Sequence, residues 1–419
     1  MIITVSRQYG SGGSELGRKL AEKLSLPVYD HELISKISAE YGIREHILKA
    51  MDEVHGADNP LTLIMTPEEQ RIFDGDVAFR SKALFHIQAD LIRKLAGEGD
   101  CVFIGRQAEY VLKDRDDVLS VLVYAEKEDR VKRIMKAEGK SYAEAERLIR
   151  DKDKERREYY SYYTNRRWMD FRNYDYAFNA SGLSIDDMCG IVCMEAGAGA
   201  QKDDAAEAGA VKAGAAEAGA VMADAQKAGA QPGVYVLESD DMRLRTEAGV
   251  KLGQLLGIPV YGRDLKTLAA EGKDFTPEEA EKYDERTTLR QPLLFKQPHY
   301  VEGTEKRRPG VNVEEYIFGC ITDKITELAH EKPCVILGHA ASFSLRRMEH
   351  VLSVRLTAAG QEVDRDYQRY YEYFTASSWE NDSATDLVIN TTGLTTEEVA
   401  EKIIRAGAVL TEGSGARES

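Results

Sequence analysis

The segment Glu15–Tyr29 recurs without a gap as Glu247–Tyr261. Gly17 falls on Gly249, Lys19 on Lys251, Leu20 and Leu24 on Leu252 and Leu256, and Pro27-Val28-Tyr29 on Pro259-Val260-Tyr261. Asp52-Glu53 falls on Asp284-Glu285 in the same register. Farther along, Cys101-Val102 and Gly105 match Cys334-Val335 and Gly338, and Val118-Leu119-Ser120-Val121 returns as Val351-Leu352-Ser353-Val354. Tyr159-Tyr160, Thr164, Trp168, Asp175 and Asn179 then match Tyr370-Tyr371, Thr375, Trp379, Asp386 and Asn390. The second copy is shorter between these last two blocks, and the residues it lacks come from the region Glu126–Arg150 of the first. A chain that repeats itself in order builds one fold twice.

Between the copies the composition changes. Of the 38 residues 195–232, 16 are Ala and 6 are Gly, and AEAGAV occurs twice. Such a stretch has no large apolar face with which to build a core. It reads as a linker, partly helical at most because Gly recurs in it. The expected organisation is a first domain over 1–194, the linker over 195–232, a second domain over 233–410 and a flexible tail over 411–419.

Each copy reads as α/β. Ile2–Val5, Leu26–Tyr29, Cys101–Ile104, Val118–Tyr124 and Tyr176–Phe178 have the look of short buried strands, and Val77–Ala96 and Glu128–Ala137 of helices between them. Strands alternating with longer helices predict a parallel sheet covered on both faces. The net charge of −16 argues against general nucleic-acid binding. No apolar run reaches membrane-spanning length, and Met1 leads directly into the first strand with no signal peptide. Five cysteines without framework spacing imply reduced thiols and a cytoplasmic setting. Cys189 and Cys193 sit four apart on an apolar helix, as core thiols or as a metal pair.

The first strand runs into Gly10-Ser11-Gly12-Gly13, and Leu16, Leu20 and Leu24 then recur at helical spacing. Strand, glycine turn and helix can cradle a phosphate on backbone N–H groups at a helix N-terminus; the bland alternative is a tight connection. The Walker A pattern G-x-x-x-x-G-K-[ST] is incomplete, with Gly13 in the lysine's place and Arg7 in that of the first glycine. Arg7, Arg18 and Lys19 are the cations available for the lysine's task. Asp30, at the carboxyl end of the next strand, either helps to hold a Mg²⁺ through water or caps a helix. Arg106, after Val102-Phe103-Ile104-Gly105, either forks onto a phosphate or is a surface arginine. Glu126–Arg172 carries 15 Lys/Arg against 11 Asp/Glu. Arg130 and Arg133 share a helix face there, and Arg156 follows. A mobile arginine-bearing flap would suit phosphoryl transfer; a solvated charged helix would look the same.

Together these pieces resemble the nucleoside monophosphate kinases, most closely the cytidylate kinase-like family. The resemblance is carried by Ser6-Arg7-Gln8-Tyr9-Gly10-Ser11-Gly12-Gly13, Pro27-Val28-Tyr29-Asp30, Ile104-Gly105-Arg106, Asp129–Ile134, Asp153-Lys154-x-Arg156-x-x-Tyr159-Tyr160, and Asn173-Tyr174-Asp175 with Asn179-Ala180-Ser181. It implies a P-loop kinase fold in each tandem copy, with ATP as donor, Mg²⁺ on the donor phosphates and a nucleoside monophosphate, CMP or dCMP, as acceptor. By position, Gly10, Ser11, Gly12, Gly13 and Ser14 would hold ATP, Ser14 and Asp30 the metal, and Asp30 and Arg106 the acceptor. Arg7, Arg130, Arg133 and Arg156 would carry the catalytic charge. Gln107 replaces the Asp that follows Gly-Arg in cytidylate kinases, which leaves base recognition open. In the second copy Gly10, Gly12 and Gly13 become Met242, Leu244 and Arg245, Asp30 becomes Gly262, Arg106 becomes His339 and Arg156 becomes Tyr367. The expectation is a folded, pseudokinase-like copy without activity that packs on the first half, regulates it or binds something else. The rival readings are a non-catalytic nucleotide-binding regulator and a kinase with a non-nucleotide acceptor.

Overall fold

In the computed structural model the described residues are 1–30, 32–45, 48, 77–208, 233–288, 307, 312–381 and 384–414. The matched pair Asp52-Glu53, the linker from 209 onward and the tail from 415 lie outside them. The chain forms two compact units, Met1–Tyr174 and Asp175–Ser419.

In the first unit Ile2, Ile3 and Val5 are fully buried in β1 (Ile2–Arg7). A run apolar on both faces is what a strand covered by helices on both sides requires. After α1 (Gly13–Leu24) come β2 (Val28–Tyr29), α2 (Glu32–Tyr41), α3 (Val77–Glu98) and β3 (Cys101–Ile104). The short α4 (Ala108–Val111), β4 (Val118–Tyr124), α5 (Lys127–Glu138) and α6 (Tyr142–Thr164) complete the unit. The strands run parallel in the order β2-β3-β1-β4, with Val5 opposite Ile104 and Arg7 opposite Val123. Under one face Ile2, Leu33, Ile37, Leu84, Ile92 and Phe103 form a core. α1 closes on β3 because Gly17 has no side chain: a Cβ there would lie 2.6 Å from Ile104 Cδ1. Gly17→Ala should therefore cost roughly 1–3 kcal/mol through overpacking, read as a lowered denaturation midpoint.

The second unit contains β5 (Tyr176–Asn179), α7 (Ile185–Ala208), β6 (Val234–Ser239), α8 (Met242–Leu256) and β7 (Val260–Tyr261). There follow α9 (Leu265–Ala270), α10 (Pro277–Glu281), α11 (Val313–Glu331), β8 (Cys334–Leu337), α12 (Ala341–Leu345), β9 (Val351–Thr357), α13 (Arg365–Thr375), β10 (Leu387–Asn390) and α14 (Thr396–Ser414). The order β7-β8-β6-β9 repeats that of the first unit, and the register repeats with it: Leu237 faces Leu337 as Val5 faces Ile104. Where the first unit has α5, residues 358–364 link β9 to α13 without a helix.

Two features differ from the sequence reading. β5 pairs antiparallel with β10, Phe178 opposite Leu387, so the second unit's sheet is not wholly parallel. The units also divide at Tyr174/Asp175, ahead of the 194/195 limit drawn from composition. β5 bonds to β10, and α7 packs on α14, where Gly190 admits Val409 and Glu195 pairs with Lys402 and Arg405. α7 itself runs on to Ala208, into the Ala/Gly-rich stretch. None of the five cysteines forms a disulfide; Cys189 is buried, Cys193 is half-buried, and no cluster among the described residues is fit to hold a metal.

Candidate active site

The carboxyl ends of β1, β2 and β3 meet where β1 stands between β3 and β4. In open α/β sheets ligands bind in such a crevice. α1 begins there at Gly12, whose φ of +92° places it in the left-handed region, and no side chain caps the helix. Ser11 faces inward, its Oγ bonding Gln8 O (2.9 Å) and Val123 O (3.0 Å). Gly10 lies against α5, for a Cβ would stand 3.1 Å from Arg130 O. The glycines thus leave the amides of an uncapped helix open to an anion, an arrangement that fits a phosphate of ATP.

Arg7 leaves the end of β1 beneath this turn. Its Nε donates to Ser14 Oγ (3.2 Å) and its Nη2 to Asp30 Oδ1 (3.2 Å). Glycines make its room: a Cβ on Gly13 would stand 2.4 Å from Arg7 Cβ, and one on Gly105 would strike Nη1. Burial and the nearby Arg156 guanidinium push Arg7 down to about 9, so it stays charged at neutral pH. Arg18 also reaches Asp30 (3.3 Å). The two residues expected to hold a metal are therefore already bridged by a guanidinium. They do not fit a shared, directly bound Mg²⁺ in this arrangement.

After β3, Gly105, Arg106 and Gln107 all have positive φ (+74°, +61° and +49°). Two consecutive non-glycine residues in the left-handed region store strain, a feature that clusters at functional sites. The turn brings Arg106 to a cavity of about 290 Å³ lined also by Arg7, Arg156, Glu109, Tyr160 and Trp168. Arg156 donates to Arg7 O (2.8 Å) and stacks on the Tyr9 ring at 5.5 Å. Its own pKa is lowered by burial, against the opposing pull of Asp153. Three guanidiniums thus converge on one cavity beside the uncapped helix, with Asp30 as the counter-ion bound to Arg7.

The other sequence-predicted cations lie elsewhere. Arg130 is buried, pairs with Asp153 and donates to Tyr9 O (3.1 Å), while Asp153 accepts Tyr9 N (2.8 Å). It clamps the glycine turn to α5 and α6. Arg133 Nη1 is buried without a protein partner among the described residues; it does not line the cavity. Sequence reasoning missed Glu109. It is buried, accepts from Ser6 Oγ (3.2 Å), and is raised by burial to about 7. The available signal was a lone acid in the apolar run Ala108–Leu112.

The second unit fills the same positions with its own side chains. Asp241 caps α8, accepting Arg243 N (2.7 Å) and Leu244 N (3.4 Å), so a carboxylate stands where a phosphate would. Arg245, in the register of Gly13, sends its guanidinium against Gly338 and the Tyr367 ring (5.0 Å), paired with Glu285. His339 replaces Arg106 on an identical left-handed turn, with Nε2 2.9 Å from Asp284 Oδ1 and its amide on Glu285 Oε1 (2.9 Å). Burial opposes charge on His339, yet Glu285 and Asp284 raise its pKa above the usual value.

A glycine turn at an uncapped helix, set against clustered arginines at the carboxyl edge of a parallel sheet, defines a phosphate-handling α/β protein of the P-loop kinase type. The sequence model of the cytidylate kinase-like family matches residues 2–182 and 245–361. The chain belongs to that family. Similar solved structures include an uncharacterized protein from Eubacterium ventriosum, 24% identical over 47% of this chain and 98% of that one, with a TM-score of 0.35. Shikimate kinase from Bacteroides thetaiotaomicron is 16% identical over 44% and 88%, with a TM-score of 0.27. No curated protein matches the chain. No helix among the described residues is long and apolar enough to cross a membrane.

Proposed function

We propose that the first unit transfers the γ-phosphoryl group of ATP to a nucleoside monophosphate such as CMP or dCMP, and that the second unit is a non-catalytic copy. The observation that carries this is the convergence of Arg7, Arg106 and Arg156 on a cavity beside the open amides of α1. ATP would lie on Gly10–Ser14, its phosphates on the α1 amides. Mg²⁺ supplies charge neutralisation on the donor phosphates when bound. The acceptor phosphate lies on Arg106 and Arg156. One of its oxygens attacks the γ-phosphorus, the bond to the β,γ-bridging oxygen breaks, and ADP leaves. Arg7, reaching Ser14 on one side and the cavity on the other, stands where charge accumulates. Positioning and fixed charge are what this reaction needs from a protein.

The test is ATP consumption by the full chain with Mg²⁺ across a panel of nucleoside monophosphates. Arg106→Ala should raise the KM for the accepted nucleotide ten-fold or more while ATP binding is retained. Unchanged kinetics would remove Arg106 from the acceptor site. A second reading, a nucleotide-binding regulator, is favoured by Gly13 in the lysine's place and by the hold of Arg7 on Ser14 and Asp30. ATP binding without turnover on the panel and on shikimate-like hydroxy acids would support it; turnover on the latter alone would mark a non-nucleotide acceptor.

A further inference from the structure

The two units treat one buried carboxyl differently. In the first, Glu109 on α4 accepts from Ser6 at the end of β1. In the second the pair is exchanged: Glu238 stands in the register of Ser6, and Ser342 in that of Glu109. Glu238 Oε1 accepts Ser342 Oγ (3.1 Å) and its other oxygen accepts the Tyr367 hydroxyl, so the carboxyl is satisfied on both sides. Glu109 is not. Its Oε1 is buried and makes no close hydrogen bond, the Tyr160 hydroxyl being the nearby donor that faces the carboxyl, and the residue lines the cavity that Arg7, Arg106 and Arg156 also line. A buried acceptor left open is costly, and at this position the first unit leaves one while the second, through Tyr367 and Ser342, does not.

We propose that Glu109 is the specificity-determining residue of this cavity, its Oε1 accepting a hydrogen bond from the exocyclic amine of a cytosine nucleotide whose phosphate lies on Arg106 and Arg156. The proposal rests on the nucleotide-acceptor reading. Charge sets the ligand's direction: a phosphate is drawn to the guanidiniums and repelled by the carboxyl, so the donor-bearing end faces Glu109. The rings of Tyr159, Tyr160 and Trp168 line the same cavity and suit a planar base. The groups facing Glu109 are Ser6 from β1, Tyr160 from α6, and Arg166 and Tyr174 beyond it. Arg7, Arg106, Arg156, Lys152 and Glu155 line the remainder of the cavity.

Glu109 titrates at about 7, and this makes the reading specific. At pH 8 the carboxylate only accepts, so it takes the 4-amino group of CMP and repels the 4-oxo group of UMP. At pH 6 the neutral carboxyl also donates, and UMP is tolerated. The ionisation of the nucleotide phosphate is shared by both ligands and cancels in their ratio.

The experiment is calorimetric titration of the full chain with CMP and with UMP at pH 6 and pH 8, for the native protein and Glu109→Gln. The expected result is a preference for CMP that grows about ten-fold or more from pH 6 to pH 8 in the native protein. In Glu109→Gln the preference should be weak and independent of pH. A native protein that binds both nucleotides with a pH-independent ratio overturns the proposal while leaving the nucleotide reading intact, and this arm does not depend on the variant folding. A variant that keeps the native pH profile reduces Glu109 to a packing role and overturns it equally. Failure of the native protein to bind either nucleotide overturns both readings.

Discussion

Arg7→Ala should lower kcat for phosphoryl transfer by roughly 10²–10³-fold, the usual loss when one preorganised charge donor is removed, with a smaller change in KM. Arg7 touches the phosphate turn through Ser14 and the acidic residue Asp30, and it lines the cavity. It is already charged and already buried, so no reorganisation is needed when charge builds on the transferring group. Losing it also removes one of the two guanidiniums that pair with Asp30, leaving the Arg18 pair at 3.3 Å, so a thermal melt accompanies the kinetics. A variant that melts like the native protein but transfers phosphate at the native rate would remove Arg7 from the reaction. Parallel loss of kcat and binding would instead mean that Arg7 serves the ground state.

Glu285→Ala should destabilise the second unit by about 3–5 kcal/mol, the cost of leaving one member of a buried ion pair alone. Arg245 and Glu285 side chains are only 5% and 4% exposed. Glu285 also accepts the His339 amide, so the substitution orphans a guanidinium and a backbone N–H together. The measurement is chemical denaturation of the full chain, where a transition of the second unit should move to lower denaturant. A shift under about 1 kcal/mol, of the size seen for exposed pairs, would show that water reaches Arg245 and that the site is not sealed.

Much of this architecture could be read from the residues. The repeat of Glu15–Tyr29 foretold one strand order used twice, and the apolar runs at Ile2, Cys101 and Val118 located their strands. Arg7 is legible from the incomplete glycine-loop pattern, Arg106 from a strand end and Arg156 from a charged segment, and all three line one cavity. Other features depend on packing that no local pattern records. Helical spacing puts Arg130 and Arg133 on one face without saying what that face meets. Asp153, on the following helix, claims Arg130 only because α6 packs on α5. The direction of β5 was illegible because alternation of strands and helices does not say which strand it pairs with. Glu109 was hidden because burial of a single acid is a property of its surroundings.

The exchanged side chains carry a historical consequence. In the first unit the buried guanidinium is Arg7, with glycine at 13; in the second it is Arg245, with Ser239 in the register of Arg7. Neither arrangement reaches the other by a harmless single substitution. Arg245→Gly strands Glu285, and Ser239→Arg forces two guanidiniums into one space. Each of these two steps leaves the second unit with a broken buried pairing or a crowded guanidinium, so conversion to the first unit's arrangement requires positions 239, 245 and 285 to change together.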